Sequence, residues 1–289
     1  MRAWLVAARP PTLLAAVAPV LVGSGLAWGD RVFRLDAFLV TLLAALLINV
    51  AANFANDASD HARGADGPER IGPPRAVASG LLTPRQVWAG TAVVFTLAAG
   101  CGLYLAWISG WQVIAIGAAA IVATLAYTGG PWPYGYRGLG EAFVFLFFGV
   151  AAVVGSRFVH DATAPREAWV LAVPVGLLAA AILTANNTRD IDTDGAAGKR
   201  TMAVRLGRRG SQIMFCSLLV SAFVTIGIAV ASGLVSAGAL LAMVALPLAI
   251  VPARLVLTEE SGPELVRALK ATARLHAAVG LLLGVGVAL

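Results

Sequence analysis

Apolar residues run along this chain in long blocks rather than in alternation with polar ones. Nine windows are apolar on nearly every side: Thr12–Trp28, Ala37–Asn56, Val87–Ile108, Trp111–Tyr127, Ala142–Val159, Trp169–Asn186, Ile213–Ala231, Val235–Ala253 and Thr272–Leu289. A helix crossing a bilayer needs about 20 mostly apolar residues. A helix on a soluble core instead carries a polar stripe at helical period. The pattern therefore predicts an all-α polytopic membrane protein, a bundle of nine transmembrane helices. The last window is the weakest, because Arg274 and His276 lie near its start. Polar residues gather in loops at 57–86, 128–141 and 187–212, while Ser109–Gly110 and Ser232–Gly233 read as tight turns between helices. No shift in composition marks a boundary, so residues 1–289 read as a single transmembrane domain.

Composition strengthens this picture: 59% of residues are hydrophobic, 12% are charged, and the mean hydropathy is +0.84. Arg9, Pro10 and Pro11 ahead of the first apolar run give it some look of a signal peptide. Eight further spans follow, which favours a retained helix. The net charge of +6 needs no nucleic acid to explain it. With the N-terminus inside, only Arg31, Arg34, Arg157 and Arg166 of the 21 Lys and Arg fall in outer loops, leaving 17 inside. Such a bias orients a multi-pass protein. The expectation is a plasma (inner) membrane protein with its N-terminus and all three wide loops on the cytoplasmic side. Cys101 and Cys216 lie in separate apolar runs and read as small buried hydrophobes.

The acids are concentrated. Asp57, Asp60, Asp66, Glu69, Asp190, Asp192 and Asp194 make seven of the 15 carboxylates, all in two short stretches opened by asparagine. If the second span stays helical to its end, Asn53, Asp57 and Asp60 share one face at i, i+4 and i+7. Asn187, Asp190 and Asp194 repeat this at i, i+3 and i+7, with Asp192 pointing elsewhere. Either cluster alone would read as a solvated loop. Two on one membrane side need a charge to balance them, since a carboxylate at membrane depth is costly. Carboxylate and amide oxygens suit Mg²⁺, which takes one or two protein carboxylates together with substrate phosphate oxygens. The pair of clusters reads as a seat for a metal-bound diphosphate.

The cations nearby fit that seat. Lys199 and Arg200 follow the second cluster directly and can hold phosphate oxygens, or serve as inside anchors. Arg189 can pair with Asp190. Arg63, Arg70 and Arg75 line the mouth or face lipid headgroups. The third loop, YTGGPWPYGYRGLGE at 127–141, holds an irregular backbone at membrane depth, which is tolerated where it lines a cavity. Within it Arg137 is a candidate for substrate binding. Tyr127, Trp132, Tyr134 and Tyr136 offer aromatic walls for a flat substrate or a carbocation, or an interfacial belt. His61 reads as a solvated loop residue.

These motifs carry a resemblance. ARPPTLLAAVAPVLVG at 8–23, NFANDASDHARGAD at 53–66, RIGPPRAVASG at 70–80, the third loop, and NNTRDIDTDGAAGKRTMAVRLG at 186–207 resemble the UbiA superfamily of intramembrane prenyltransferases over essentially the whole chain. Within it they match the branch that prenylates 1,4-dihydroxy-2-naphthoate in menaquinone synthesis. The resemblance implies nine helices around a central cavity open to the cytoplasm and sideways to lipid. It implies that Asn53, Asp57, Asp60, Asp190 and Asp194 hold Mg²⁺, two ions, on a polyprenyl diphosphate, with Asp66 and Asn187 supporting and Lys199 and Arg200 on the diphosphate. An allylic carbocation then meets the aromatic ring at its carboxylate-bearing carbon, and CO₂ leaves. The hydroxybenzoate branch carries a lysine four residues after the loop tyrosine, where this chain has Pro131. That favours naphthoate over hydroxybenzoate, with homogentisate a further alternative. The six-residue step from Asp60 to Asp66, with Gly64 between, lets Asp66 reach metal only through a loop.

Two other readings fit less well. The CDP-alcohol phosphotransferase pattern, aligned on Ala62–Arg63, meets Ala58, Ser59, Ala76 and Gly80 where it needs acids or glycine. A divalent-cation transporter would place its acids near the midplane rather than at helix ends, and would have little use for Lys199 and Arg200.

Overall fold

The structure, a computed structural model, describes residues 2–65, 72–260 and 262–289. Among these residues every regular element is helical, and eight helices are long and apolar enough to cross a membrane. A short α1 (Arg2–Ala8) leads into α2 (Pro10–Gly29) through Arg9, whose φ of 51° is left-handed and turns the chain sharply. Pro10 and Pro11 then start α2, where a missing N–H costs nothing. Next come α3 (Leu35–Ala62), α4 (Pro84–Ser109) and α5 (Gln112–Thr128), the last only 17 residues long and shorter than the other spans. A Thr83 cap, returned by the Gln86 side chain, fixes the start of α4.

After α5 the backbone is irregular to Pro133, makes a 3₁₀ turn at Tyr134–Arg137, and enters α6 (Gly140–Val144). The same span continues through a π-helical stretch, Phe145–Ala151, into α7 (Ala152–Asp161). The wide stretch brings Gly149 against α8 (Arg166–Arg189) so closely that a Cβ there would sit 2.5 Å from the Cα of Gly176. Then follow α9 (Ile191–Ala196), α10 (Met202–Ala231), a 3₁₀ segment (Ala237–Ala249) running into α11 (Ile250–Thr258), and α12 (Gly262–Ala288). In α10 the helix breaks at Gly207, where φ is 68°, so the span proper starts after it.

The final window, expected to be the weakest, is a 27-residue helix; the short span is α5 instead. The polar start of α12 stays helical because Leu265, Ala268 and Thr272 bury one face at helical spacing. The core lies among α7, α8, α10, the 3₁₀ segment and α12, around Leu171, Leu178, Phe215, Ile226, Leu275 and Leu283. Large apolar side chains elsewhere point outward, among them Leu97, Leu103, Trp107, Val122, Val220, Ile228 and Val244. This inside-out surface is what lipid requires. The chain is a multi-pass membrane protein.

Small residues set the closest helix contacts. A Cβ on Gly25 would meet the carbonyl oxygen of Gly284 at 2.2 Å, and one on Gly280 would meet the Cβ of Ala18 at 2.4 Å. Backbones pack this tightly in membranes where glycine permits it. The first and last long helices are therefore joined, and Pro19 and Pro174 are accommodated inside α2 and α8.

Candidate active site

The ends of α3 and α8 and the loop after α5 meet on one side of the bundle. On α3, Asp57 is fully buried, and its two oxygens accept from the backbone N–H groups of Ala76 and Val77, both at 2.9 Å. An Arg9 guanidinium nitrogen lies 3.9 Å away. One turn on, Asp60 accepts from Arg75 through Oδ2 and from the Tyr136 hydroxyl through Oδ1, each at 3.0 Å. The two carboxylates thus fold the turn of residues 75–81 back over the end of α3. Asn53 lies on the same face, as the spacing predicts, but its amide nitrogen donates to the Ala8 carbonyl (2.9 Å) and the Thr12 hydroxyl (3.0 Å). It ties α3 to the junction of α1 and α2.

The second cluster departs from the continuous helix that its spacing suggested. α8 stops at Arg189, Asp190 leaves helical geometry (φ −96°, ψ 12°), and α9 begins afresh. The break still leaves Asp190 and Asp194 buried and Asp192 exposed. Arg189 donates to Asp190 through both Nε (2.7 Å) and Nη2, and Nη2 also reaches Asn186 Oδ1. Lys199 is folded back by a hydrogen bond from its N–H to the Asp194 carbonyl (2.8 Å), which places Nζ 3.5 Å from Asp194 Oδ1.

Tyr136 joins the two clusters. Its hydroxyl donates to Asp60, while Lys199 Nζ and the Arg63 guanidinium lie 5.3 and 5.4 Å from the centre of its ring. Arg63 is fixed by the Thr128 and Gly130 carbonyls at 2.9 and 2.7 Å. Burial, together with the Asp60 charge, pushes the Tyr136 hydroxyl far above its usual range, and burial does the same to Tyr134. Burial opposes the charge on Lys199, but Asp60, Asp194 and Asp190 outweigh it and hold the ammonium. Burial, with Asp190 and Asp60 adding repulsion, raises Asp194 to about 6 despite Lys199.

Aromatic rings extend from this point along α6. Tyr127 meets Tyr134 edge-on at 5.4 Å, Tyr134 stacks on Phe143 at 3.9 Å, and Phe143 faces Phe147 at 6.3 Å. The phenylalanines were not singled out by the sequence, where they read as ordinary span residues. Glu141 was also missed: it is buried and accepts from Asn187 Nδ2 at 2.9 Å. Its place at the head of a span and after a Gly-rich loop was the only signal. Arg137 is not drawn in; it is exposed and stacks over Trp132, 5.0 Å from the ring centre. Arg200 is also exposed, its N–H bonded to the Tyr136 carbonyl. His61 is exposed, as expected of a loop histidine. Arg75, left open between mouth and headgroups, is buried on Asp60. Asp66 and Arg70 lie outside the described residues. A cavity of about 430 Å³, lined by Ala58, Ser59, Ala62, Arg63, Trp88 and Leu125 among others, opens on the face of α3 opposite the acids.

The donor set suits a hard cation. Asp194 Oδ2 and Asn187 Oδ1 are buried acceptors that receive no hydrogen bond. Among the described residues no three His, Cys, Asp or Glu side chains converge closely enough to hold an ion alone. Mg²⁺ takes much of its shell from water and substrate phosphates.

The UbiA prenyltransferase family matches residues 16–277. The 1,4-dihydroxy-2-naphthoate octaprenyltransferase of Mycobacterium tuberculosis is 41% identical over 93% of this chain and 91% of its own. The enzyme of the same name from Escherichia coli is 35% identical, over 89% and 86% respectively. Among solved structures, a UbiA homolog from Archaeoglobus fulgidus bound to GPP and Mg²⁺ superposes with a TM-score of 0.66, covering 97% of this chain and 99% of that one. At 16% identity this likeness speaks for the fold alone.

Proposed function

This chain belongs to the UbiA prenyltransferase family, and we propose that it transfers a polyprenyl group from polyprenyl diphosphate to 1,4-dihydroxy-2-naphthoate, with loss of CO₂ and diphosphate, in menaquinone synthesis. It is an aromatic prenyltransferase. The observation that carries the site is the meeting of Asp60, Asp190, Asp194 and Lys199 around Tyr136. The acceptor is supported by relatives of that name across nine tenths of the chain.

In this reading Asn53, Asp57, Asp60, Asp190 and Asp194 supply oxygens for two Mg²⁺ ions. The metal, when bound with the diphosphate, neutralises its charge as it departs. Asn187 and Asp66 support that set. Lys199 holds the diphosphate beside Asp194, with Arg200 and Arg63 at its margin, and fixed cations there act without reorganisation cost. Arg75 and Arg189, now on Asp60 and Asp190, give those carboxylates a counter-charge that substrate binding must rearrange. As the allylic C–O bond breaks, its electron pair goes to the diphosphate. Tyr127, Tyr134 and Tyr136 turn aromatic faces or hydroxyls toward the developing cation. The ring carbon bearing the carboxylate forms the new C–C bond, and the pair released with CO₂ restores the aromatic ring. Both substrates enter from the bilayer, and the site faces the cytoplasm of the inner membrane.

The test is an acceptor competition. Purified protein receives Mg²⁺, a polyprenyl diphosphate, and equal dihydroxynaphthoate and hydroxybenzoate, with products resolved by mass. The expected product is a prenylated naphthoquinol that has lost CO₂, and it disappears with EDTA and in Asp190→Ala. Prenylated hydroxybenzoate as the main product overturns the acceptor, and product formation in EDTA overturns the metal seat.

A further inference from the structure

The buried carboxylates at this end of the bundle differ in their company. Asp57 has Arg9, Asp60 has Arg75, Asp190 has Arg189 and Asp194 has Lys199. Glu141 is 8% exposed, and among the described residues none of these cations pairs with it. One of its oxygens takes a hydrogen bond from Asn187, while Oε2 is buried and takes none. Burying a carboxylate oxygen without a donor costs far more than leaving it in water. The Asn187 contact uses Oε1 alone and leaves Oε2 to be satisfied.

The surroundings of Oε2 define what would satisfy it. Glu141 follows Gly140, and a Cβ on that glycine would lie 3.6 Å from the Tyr127 hydroxyl, so Tyr127 packs directly beside it. Two residues on, Phe143 stacks against Tyr134, which meets Tyr127 edge-on. An acceptor-only group at the rim of an aromatic wall suits a flat ring that carries a hydroxyl donor. It also repels a ring carboxylate.

We propose that Glu141 Oε2 accepts a hydrogen bond from the ring hydroxyl of the aromatic acceptor, and so orients the ring with its carboxylate turned away toward the cations. This rests on the proposed naphthoate activity. In 1,4-dihydroxy-2-naphthoate the 1-hydroxyl is engaged by the neighbouring carboxylate, which leaves the 4-hydroxyl as the free donor. Binding that hydroxyl presents the carboxylate-bearing carbon to the diphosphate side. Glu141 thereby selects both the acceptor and the carbon that is alkylated. No covalent step passes through it.

The experiment compares wild type, Glu141→Gln and Glu141→Ala with dihydroxynaphthoate as acceptor, and with 1-hydroxy-2-naphthoate, which lacks the 4-hydroxyl, as competitive inhibitor. A hydrogen bond to a charged group is worth roughly a tenfold to hundredfold effect. The acceptor KM therefore rises by about that factor in Glu141→Ala and by less in Glu141→Gln, which keeps one acceptor oxygen. The inhibition constant of 1-hydroxy-2-naphthoate stays the same in all three proteins, as do the donor KM and the Mg²⁺ half-saturation. Wild-type product with an unchanged acceptor KM in the variants overturns the Glu141 assignment alone. A rise confined to the donor KM or the Mg²⁺ requirement also overturns it, by moving the carboxylate to the diphosphate seat. Absence of any prenylated naphthoate from the folded wild type overturns both this assignment and the activity on which it rests. If Glu141→Ala does not fold, the Glu141→Gln shift and the wild-type preference for the dihydroxy ring over the monohydroxy one decide the matter.

Discussion

Asp194 shows how a single side chain links burial to chemistry. Its carboxyl is raised to about 6 from an ordinary 3.8, mainly by burial, so the protonated form is populated below about 6 and is lost as pH rises through it. In the proposed metal seat a cation would have to displace that proton. The Mg²⁺ half-saturation for turnover should therefore climb by up to about tenfold per pH unit below 6, and level off above it. Asp194→Asn should flatten that slope and lower kcat by about 100-fold, the scale of losing one preorganised electrostatic group. A slope that persists in the variant would assign the titration to another acid. The shared face of Asn53, Asp57 and Asp60 was readable from the sequence, because positions i, i+4 and i+7 of a helix lie together whatever they touch. Their partners were not readable. Arg75 and the N–H groups of Ala76 and Val77 reach Asp60 and Asp57 through the fold of a loop. Glu141 stayed hidden because a lone acid in a span has no periodic companion.

Elements were legible wherever hydrophobicity alone decides. The apolar windows correspond to helices because lipid leaves a backbone no other way to satisfy itself. The departures come from local backbone events with weak sequence signals: the stop of α8 at Asp190, the left-handed Gly207 inside α10, and the π-helical stretch of Phe145–Ala151. The π-helical stretch turns the faces of one span against each other, and such widenings recur near functional sites. Within this span Glu141 is buried at one end, and Val153 and Arg157 on α7 are buried further along. Contacts between helices depend on glycine in the same hidden way. Gly25→Val places a side chain where the Gly284 carbonyl oxygen would be 2.2 Å from its Cβ, and should destabilise the protein by about 1–3 kcal/mol or more. Gly100→Ala, with nothing within 4 Å, should be neutral or stabilise the helix by about 0.4–1 kcal/mol. Thermal unfolding in detergent separates the two, and equal midpoints would mean that the α2–α12 contact carries no weight.

For the molecule as a whole, orientation rests on the basic residues, of which 17 of 21 fall on the acid-rich side when the N-terminus is inside. With Cys101 and Cys216 replaced, Asp192→Cys should resist an impermeant maleimide added to intact cells, while Thr163→Cys should react. The reverse pattern would invert the protein. The glycine seam between α2 and α12 has a further consequence for how the protein is made. It joins α2 to α12, helices far apart along the chain, so their contact is absent until α12 has been synthesised. Until then the bare backbone at Gly25 and Gly29 has only lipid or the insertion machinery for company. A nascent chain interrupted before residue 262 would carry an unfilled groove along α2 where the backbone of α12 belongs.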